Sequence, residues 1–258
     1  ISLGLVGSEM CIRDRINEGA LVLLEVNPNF PRTFGDTQVH ISEVDAIVES
    51  THPIPLIKLA PYTAIDQKIG EYVASLIEDG STIQLGVGNI PNAVASELKH
   101  KKHLGIHTEM FTETMVDLIE CGAVDNTQKG FMNGYSVCSF TLGSQRLYDY
   151  INNNPCVLFK SATFSNDPYT IAKNNKFVSV NATLEIDLTG QVNAESIGPR
   201  QYSGTGGQLE WVVGSQWSKG GKSILALRSS YRDKAGVLHS KIVPQLAPGS
   251  VVTTPRTC

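Results

Sequence analysis

From residue 64 onward, short apolar runs alternate with amphipathic stretches of about ten residues, and this rhythm limits what the chain can fold into. "AIDQKIGEYVASLIEDG" (64–80) carries Ile65, Ile69, Tyr72, Val73, Leu76 and Ile77 at helical spacing, with Gly80 as the expected stop. "STIQL" (81–85) reads as a strand, "GVGN" (86–89) as a tight turn and "IPNAVASELKH" (90–100) as a helix with Pro91 in its first turn. "LGIHTE" (104–109) fits a short strand, and "ETMVDLIECG" (113–122) a helix ending at Gly122. "YSVCSFTLG", "SQRLYDYINNN", "CVLFK" and "DPYTIAKNN" continue as strand, helix, strand and short helix. "KFVSVNATLEIDLTGQVN" (176–193) reads as one or two strands, and "KSILALRSS", "SKIVPQL" and "SVVTT" as further strands. The pattern implies an α/β domain with a mostly parallel sheet flanked by helices. Ligands of such sheets bind beyond the carboxyl ends of the strands.

Upstream the rhythm is weaker. "ALVLLEVN" (20–27) is a continuous apolar run, as expected of a strand buried on both faces. "THPIPLIKLAPYT" (51–63) has three prolines and reads as a connector, which puts a domain boundary near residue 60. Residues 1–14 place their charges after the apolar part, the wrong order for a signal peptide. They resemble a translated sequencing adapter and are set aside from the fold.

Composition excludes several classes. Of the 258 residues, 41% are hydrophobic and 18% charged, which suits a globular chain with a substantial core. The net charge of −4, with Lys and Arg dispersed, gives no basis for nucleic-acid binding. No apolar run approaches the ~20 residues that a membrane-spanning helix needs. The five cysteines, Cys11, Cys121, Cys138, Cys156 and Cys258, are widely spaced and form no CxxC pair. They argue against a disulfide framework or a zinc knuckle and suit a reducing compartment; a cytoplasmic location is expected, with a mitochondrial one as the alternative in a eukaryote.

Four segments could carry chemistry. "LGVGNIPNAV" (85–94) places a glycine turn between a strand and a helix start, a recipe for holding an anion; it lacks the third glycine of a dinucleotide fingerprint, and alone it is also an ordinary βα turn. "HLGIHTEM" (103–110) offers His103, His107 and Glu109, but an extended backbone spreads them too far for a compact metal site. His103 then reads as a surface residue and His107 as a packed or hydrogen-bonded loop histidine. "GQVNAESIGPRQYSGTGGQ" (190–208) holds five glycines and makes main-chain amides available to a ligand. Its Glu195 competes with Glu109 as the reactive carboxylate. "FSNDP" (164–168) is helix-entry chemistry, with Asn166 and Asp167 ahead of Pro168.

Together, "GSTIQLGVGNIPNAV", "KKHLGIHTEM", "FSNDP", "VNATLEIDLTGQVNAESIG", "SGTGGQ" and "SKGGKSILAL" resemble the acetyl-CoA hydrolase/4-hydroxybutyrate CoA-transferase family within the class I CoA-transferases. The resemblance runs in unbroken order from about residue 16 to the end. It implies two similar α/β domains with the active site at their interface, this chain holding the tail of the first (15–60) and a C-terminally truncated second (61–258). It makes Glu109 the nucleophile, with Asn166 and Gly207 at the reacting centre. It places Gly86, Val87, Gly88, Asn89, Ile90, Leu184, Gly206 and Gly207 against coenzyme A. Some relatives carry other residues at the position of Glu195, which ranks it below Glu109. The implied activity is transfer of coenzyme A between short-chain acids of the acetate, butyrate or 4-hydroxybutyrate type, with acyl-CoA hydrolysis and inert coenzyme A binding as the alternatives. Coenzyme A enters as substrate; no resident cofactor or metal is expected, and the full-length protein is expected to be a homo-oligomer.

Overall fold

The computed structural model describes residues 18–57 and 61–257. Residues 1–14 lie outside the described part, as do Cys11 and Cys258.

The strand Thr82–Leu85 is the centre of the sheet. It pairs in parallel with Phe177–Ala182 on one side and Gly105–Ile106 on the other, and Lys222–Ala226 extends the sheet beyond Phe177–Ala182. A second parallel group runs Ser136–Cys138, Val157–Phe159, Phe34–Gly35. The two groups join at His107, which bridges to Val137, while the Thr108 N–H donates to the Val137 carbonyl at 2.9 Å. The result is two mostly parallel sheets, of four and three strands, that meet through this bridge. All four residues of Thr82–Leu85 are buried, as both-face coverage of a parallel strand requires.

The faces are distinguishable by residue alternation. Val178 and Val180 join Ile83, Leu85, Leu104 and Ile106 in the main core, under the helices Asn89–Glu97 and Glu113–Glu120. Phe177 points to the other face and packs with Ile171 and Trp211, from the helices Pro168–Ala172 and Gln208–Trp217. Full burial of each such side chain is worth roughly 1.5–3 kcal/mol, so both faces contribute to holding the strand ends in register.

Helix starts follow local chemistry. Thr63 and Asp66 form a capping box at Ala64–Ser75, Ser144 accepts from the Leu147 N–H at the start of Gln145–Ile151, and Asp167 accepts from the Tyr169 and Thr170 N–H groups with Pro168 in the first turn. The first of these helices departs from the spacing. It stops at Ser75, a turn before Gly80, and leaves Ile65, Tyr72 and Leu76 exposed. Its buried face is Asp66, Gly70, Val73 and Ala74, chosen by packing against Asn89–Glu97 rather than by the number of apolar residues. Asp66 is accommodated because Arg228 grips it through Nε and Nη2, holding its carboxyl down at about 2.

Three other expectations change. Leu23–Val26 is a strand, but among the described residues it pairs only with Ala46–Glu49, and it is not buried on both faces: Leu23 is 66% exposed. "SVVTT" forms no strand beyond a bridge between Thr254 and Val192, because its main chain serves the neighbouring loop instead. The glycine-rich segment 190–208 is more ordered than its composition suggests; it contains Val192–Asn193 and the hairpin Ser196–Ile197/Arg200–Gln201. Upstream of residue 60 the chain contributes to the same body. Phe34–Gly35 is a strand of the three-stranded sheet, Ile54 lies in the main core, and the Ile57 N–H donates to the Gly143 carbonyl at 2.9 Å.

Candidate active site

Glu109 lies three residues past the carboxyl end of the strand Gly105–Ile106, just beyond the His107 bridge. Its main-chain carbonyl accepts the N–H groups of Ser139 and Phe140 at 2.8 and 3.1 Å, which fixes the backbone between two strand ends. Its side chain faces a cavity of about 270 Å³ whose lining includes Gly86, Val87, Glu195, Gly206, Gly207 and Trp211. The Trp211 indole Nε1–H donates to Glu109 Oε2 at 3.3 Å.

Gly207 is the point where the site closes up. A Cβ at this position would stand 2.5 Å from Asn166 Nδ2, 2.7 Å from Glu109 Oε2 and 3.0 Å from Trp211 Nε1. Any side chain would occupy the space in which these three groups meet. Gly207 also caps the helix Gln208–Trp217, so the positive end of that helix begins beside the carboxylate. The Asn166 amide is oriented by its neighbour: Ser165 Oγ donates to Asn166 Oδ1 at 2.8 Å, leaving Nδ2 toward the cluster. The arrangement places a carboxylate beside N–H donors from an indole and an amide. These are the elements needed to hold a nucleophile and to receive charge that develops on a neighbouring oxygen.

The start of the turn at 86–90 also borders the cavity, while Gly88, Asn89 and Ile90 are not among its lining residues. Gly86 donates its N–H to the Val180 carbonyl at 2.8 Å, and Gly86 and Val87 line the cavity. Gly88 has φ 129°, a conformation that L side chains rarely adopt, and it caps Asn89–Glu97 with no side-chain hydrogen bond. Asn89 and Ile90 form the first turn, so their N–H groups belong to the helix's positive end, and Pro91 has no N–H to leave unpaired. Leu184 is half-buried, donates its N–H to the Asn193 carbonyl, and lies two residues past Ala182, the last cavity-lining residue of that strand.

The histidines separate from Glu109. His103 has φ 57° and sits on the surface with Nδ1 2.7 Å from Asp125 Oδ2. His107 is fully buried, with Nε2 2.8 Å from the Ser165 carbonyl and its ring edge-on to Phe177 and Trp211. Burial foremost, and then the Lys129 ammonium, push its pKa down to about 3 against the pull of the Ser165 carbonyl. It is therefore a neutral donor that supports Trp211 and Ser165 from below. Glu195 is buried and lines the same cavity, but both its oxygens are committed: Oε1 accepts from Thr253 Oγ1 and Oε2 from Gln201 Nε2, each at 3.1 Å.

Trp211, Ser139 and Ser165 were not singled out by the sequence. The signal for Trp211 was a large aromatic in "QLEWVVGSQW", directly after the second glycine loop; Ser165 stands inside "FSNDP" beside Asn166, and for Ser139 there was none.

A parallel α/β sheet ending in a carboxylate between two glycine loops defines a domain of the CoA-transferase type. RipA from Yersinia pestis superposes with a TM-score of 0.86 at 42% identity, covering 95% of this chain and 55% of RipA. The succinyl-CoA:cyclohexane-1-carboxylate CoA transferase of Geobacter metallireducens is 47% identical over 241 residues, 93% of this chain and 54% of the relative. The 4-hydroxybutyrate coenzyme A transferase of Clostridium kluyveri is 46% identical over 236 residues, 92% of this chain and 54% of the relative. Residues 143–258 match the acetyl-CoA hydrolase/transferase C-terminal domain. The chain belongs to the acetyl-CoA hydrolase/transferase family, and it spans about half the length of the relatives it matches.

Proposed function

We propose that the protein moves coenzyme A between short-chain carboxylic acids, with Glu109 as the covalent nucleophile. The observation that carries this reading is the meeting of the Glu109 carboxylate, Asn166 Nδ2 and Trp211 Nε1 around the missing side chain of Gly207. In the first step the Glu109 carboxylate attacks the thioester carbonyl of an acyl-CoA. The tetrahedral intermediate collapses to a mixed anhydride and expels coenzyme A as the thiolate. The thiolate then attacks the glutamyl carbonyl, releasing the first acid as its carboxylate and leaving a glutamyl-CoA thioester. An incoming carboxylate repeats the two steps in reverse, so Glu109 ends ionised and the new acyl-CoA departs.

Each tetrahedral oxygen needs donors. Asn166 Nδ2 and the main-chain amides of the 203–207 loop are placed to supply them, each worth ~3 kcal/mol when pre-oriented. The turn at Gly86, Val87, Gly88, Asn89 and Ile90, with Leu184 and Gly206, is the proposed seat of coenzyme A; the helix start at Gly88 favours an anionic ligand. No step requires a resident cofactor. Identities of 46–47% to CoA transferases favour transfer over hydrolysis, in which water would take the place of the second acid.

The test is to incubate the protein with acyl-CoA, reduce with borohydride and map the modified peptide. Modification at Glu109 and product formation only with an acceptor acid are expected. Modification at Glu195, or none, contradicts the assignment, and equal turnover without acceptor makes the protein a hydrolase.

A further inference from the structure

The glutamate and the asparagine of the site lie 57 positions apart in the numbering, yet one residue touches the supports of both. Ser139 follows the strand Ser136–Cys138. Its main-chain N–H holds the Glu109 carbonyl at 2.8 Å, and its Oγ is hydrogen-bonded to Ser165 Oγ. Ser165 is fully buried; its hydroxyl proton goes to Asn166 Oδ1 at 2.8 Å, so the proton between the two serines comes from Ser139. The Ser165 carbonyl is itself held by His107 Nε2 at 2.8 Å. Every link in this chain is directional. Ser139 donates to Ser165, Ser165 donates to the oxygen of Asn166, and the amide nitrogen is left facing Glu109 Oε2 and Gly207.

An asparagine amide is nearly symmetric in shape, and only its hydrogen bonds decide which end points where. Turned over, Asn166 would present a carbonyl oxygen to a carboxylate. It would then repel the nucleophile and offer no donor to a tetrahedral oxygen. We propose that Ser139 and Ser165 are positioning residues that lock the Asn166 amide with its N–H groups toward the reacting centre and tie that lock to the backbone of Glu109. This rests on the reading of Glu109 as the nucleophile for its kinetic consequence, but not for the orientation of the amide itself.

Two readouts test it on the full chain. Ser139→Val and Ser139→Thr have the same volume and differ in the hydroxyl, and Ser139 is only half-buried, so both fit. Ser139→Val and Ser165→Ala are expected to lower kcat about 10-fold with KM within about 2-fold, because a mis-set donor is lost in the transition state rather than in binding. Ser139→Thr is expected to retain the wild-type value. By nuclear magnetic resonance, the wild-type Asn166 Nδ2 protons should show contacts to the Gly207 α-protons, and Ser165→Ala should lose them. Equal activity of the Val and Thr variants, or an Asn166 amide that keeps its orientation in Ser165→Ala, overturns the proposal. If acyl-CoA labels a residue other than Glu109, the functional reading fails, while the amide contacts still decide the orientation.

Discussion

The indole N–H of Trp211 donates to Glu109 Oε2 at 3.3 Å across 102 positions of sequence. Trp211 is 1% exposed and its ring is stacked on Phe177 at 5.8 Å, so the donor cannot swing away. A rigid donor fixes the position of this oxygen, as the proposed nucleophile would need. Trp211→Phe keeps most of the ring and removes the N–H. A hydrogen bond to a charged group is worth about 1.5–3 kcal/mol, so kcat/KM is expected to fall about 10- to 100-fold while the melting temperature shifts little. Steady-state kinetics with a parallel thermal melt checks this; an unchanged kcat/KM would remove Trp211 from the machinery.

Gly207 is intolerant for a reason of space. A Cβ there collides with Asn166 Nδ2 and Glu109 Oε2 at 2.5 and 2.7 Å. Gly207→Ala is expected to lower activity at least ~100-fold, the scale of losing an oxyanion donor, with circular dichroism unchanged. Its φ of −102° is open to alanine, so the fold has no backbone reason to fail. Retention of more than a tenth of the activity would place the reacting centre elsewhere.

His107 is expected to make the fold less stable in acid. Its folded pKa is about 3 against an ordinary 6.5, so between these values the unfolded chain binds a proton that the folded one refuses. Stability is therefore lost as pH falls from about 6.5 toward 3. Urea melts across that range should show a flatter dependence for His107→Gln than for the wild type. Parallel curves would mean that other groups carry the acid response.

Lys129 works in a higher window. Its side chain is fully buried, Nζ donates to the Tyr135 carbonyl at 2.6 Å, and burial presses its pKa from 10.5 to about 7, with Cys138 opposing. The cost of burying the ammonium is fully present below pH 7 and is relieved as pH rises toward the unfolded value. Stability should rise between pH 7 and 9. Above that, the buried Cys138 thiol, whose pKa burial pushes up, acts in the opposite sense. Lys129→Met should flatten the rise in urea melts; an equal slope in the variant contradicts the assignment.

Much of this was legible in the sequence because it is local. The alternation of strands and helices, the turn at Gly86–Ile90 and the caps at Ser144 and Asp167 each depend on a few adjacent residues. The helix Gln208–Trp217 was not legible. It buries Trp211, Val212, Gly214 and Ser215 on one face, but two of these are not apolar, while Leu209 and Trp217 lie exposed, so the usual apolar stripe is blurred. The exposure of Leu23–Val26 was hidden for the converse reason: the run has the composition of a covered strand, and composition does not say what lies against it. At the site, Glu109, Ser165, Asn166 and Gly207 stand in recognisable motifs, whereas Trp211 and Ser139 act through contacts that join distant segments.

The central claim is that a Glu109 oxygen takes part in covalent chemistry. It is tested most directly by supplying an acceptor acid labelled with oxygen-18 in its carboxylate, together with unlabelled acyl-CoA. After turnover, the peptide carrying Glu109 is weighed and fragmented. The incoming carboxylate bridges to the glutamyl carbonyl, and the thiolate then attacks the acyl side, so oxygen-18 should remain on the Glu109 carboxylate. Turnover with no label on Glu109, or with label on Glu195, would contradict the account.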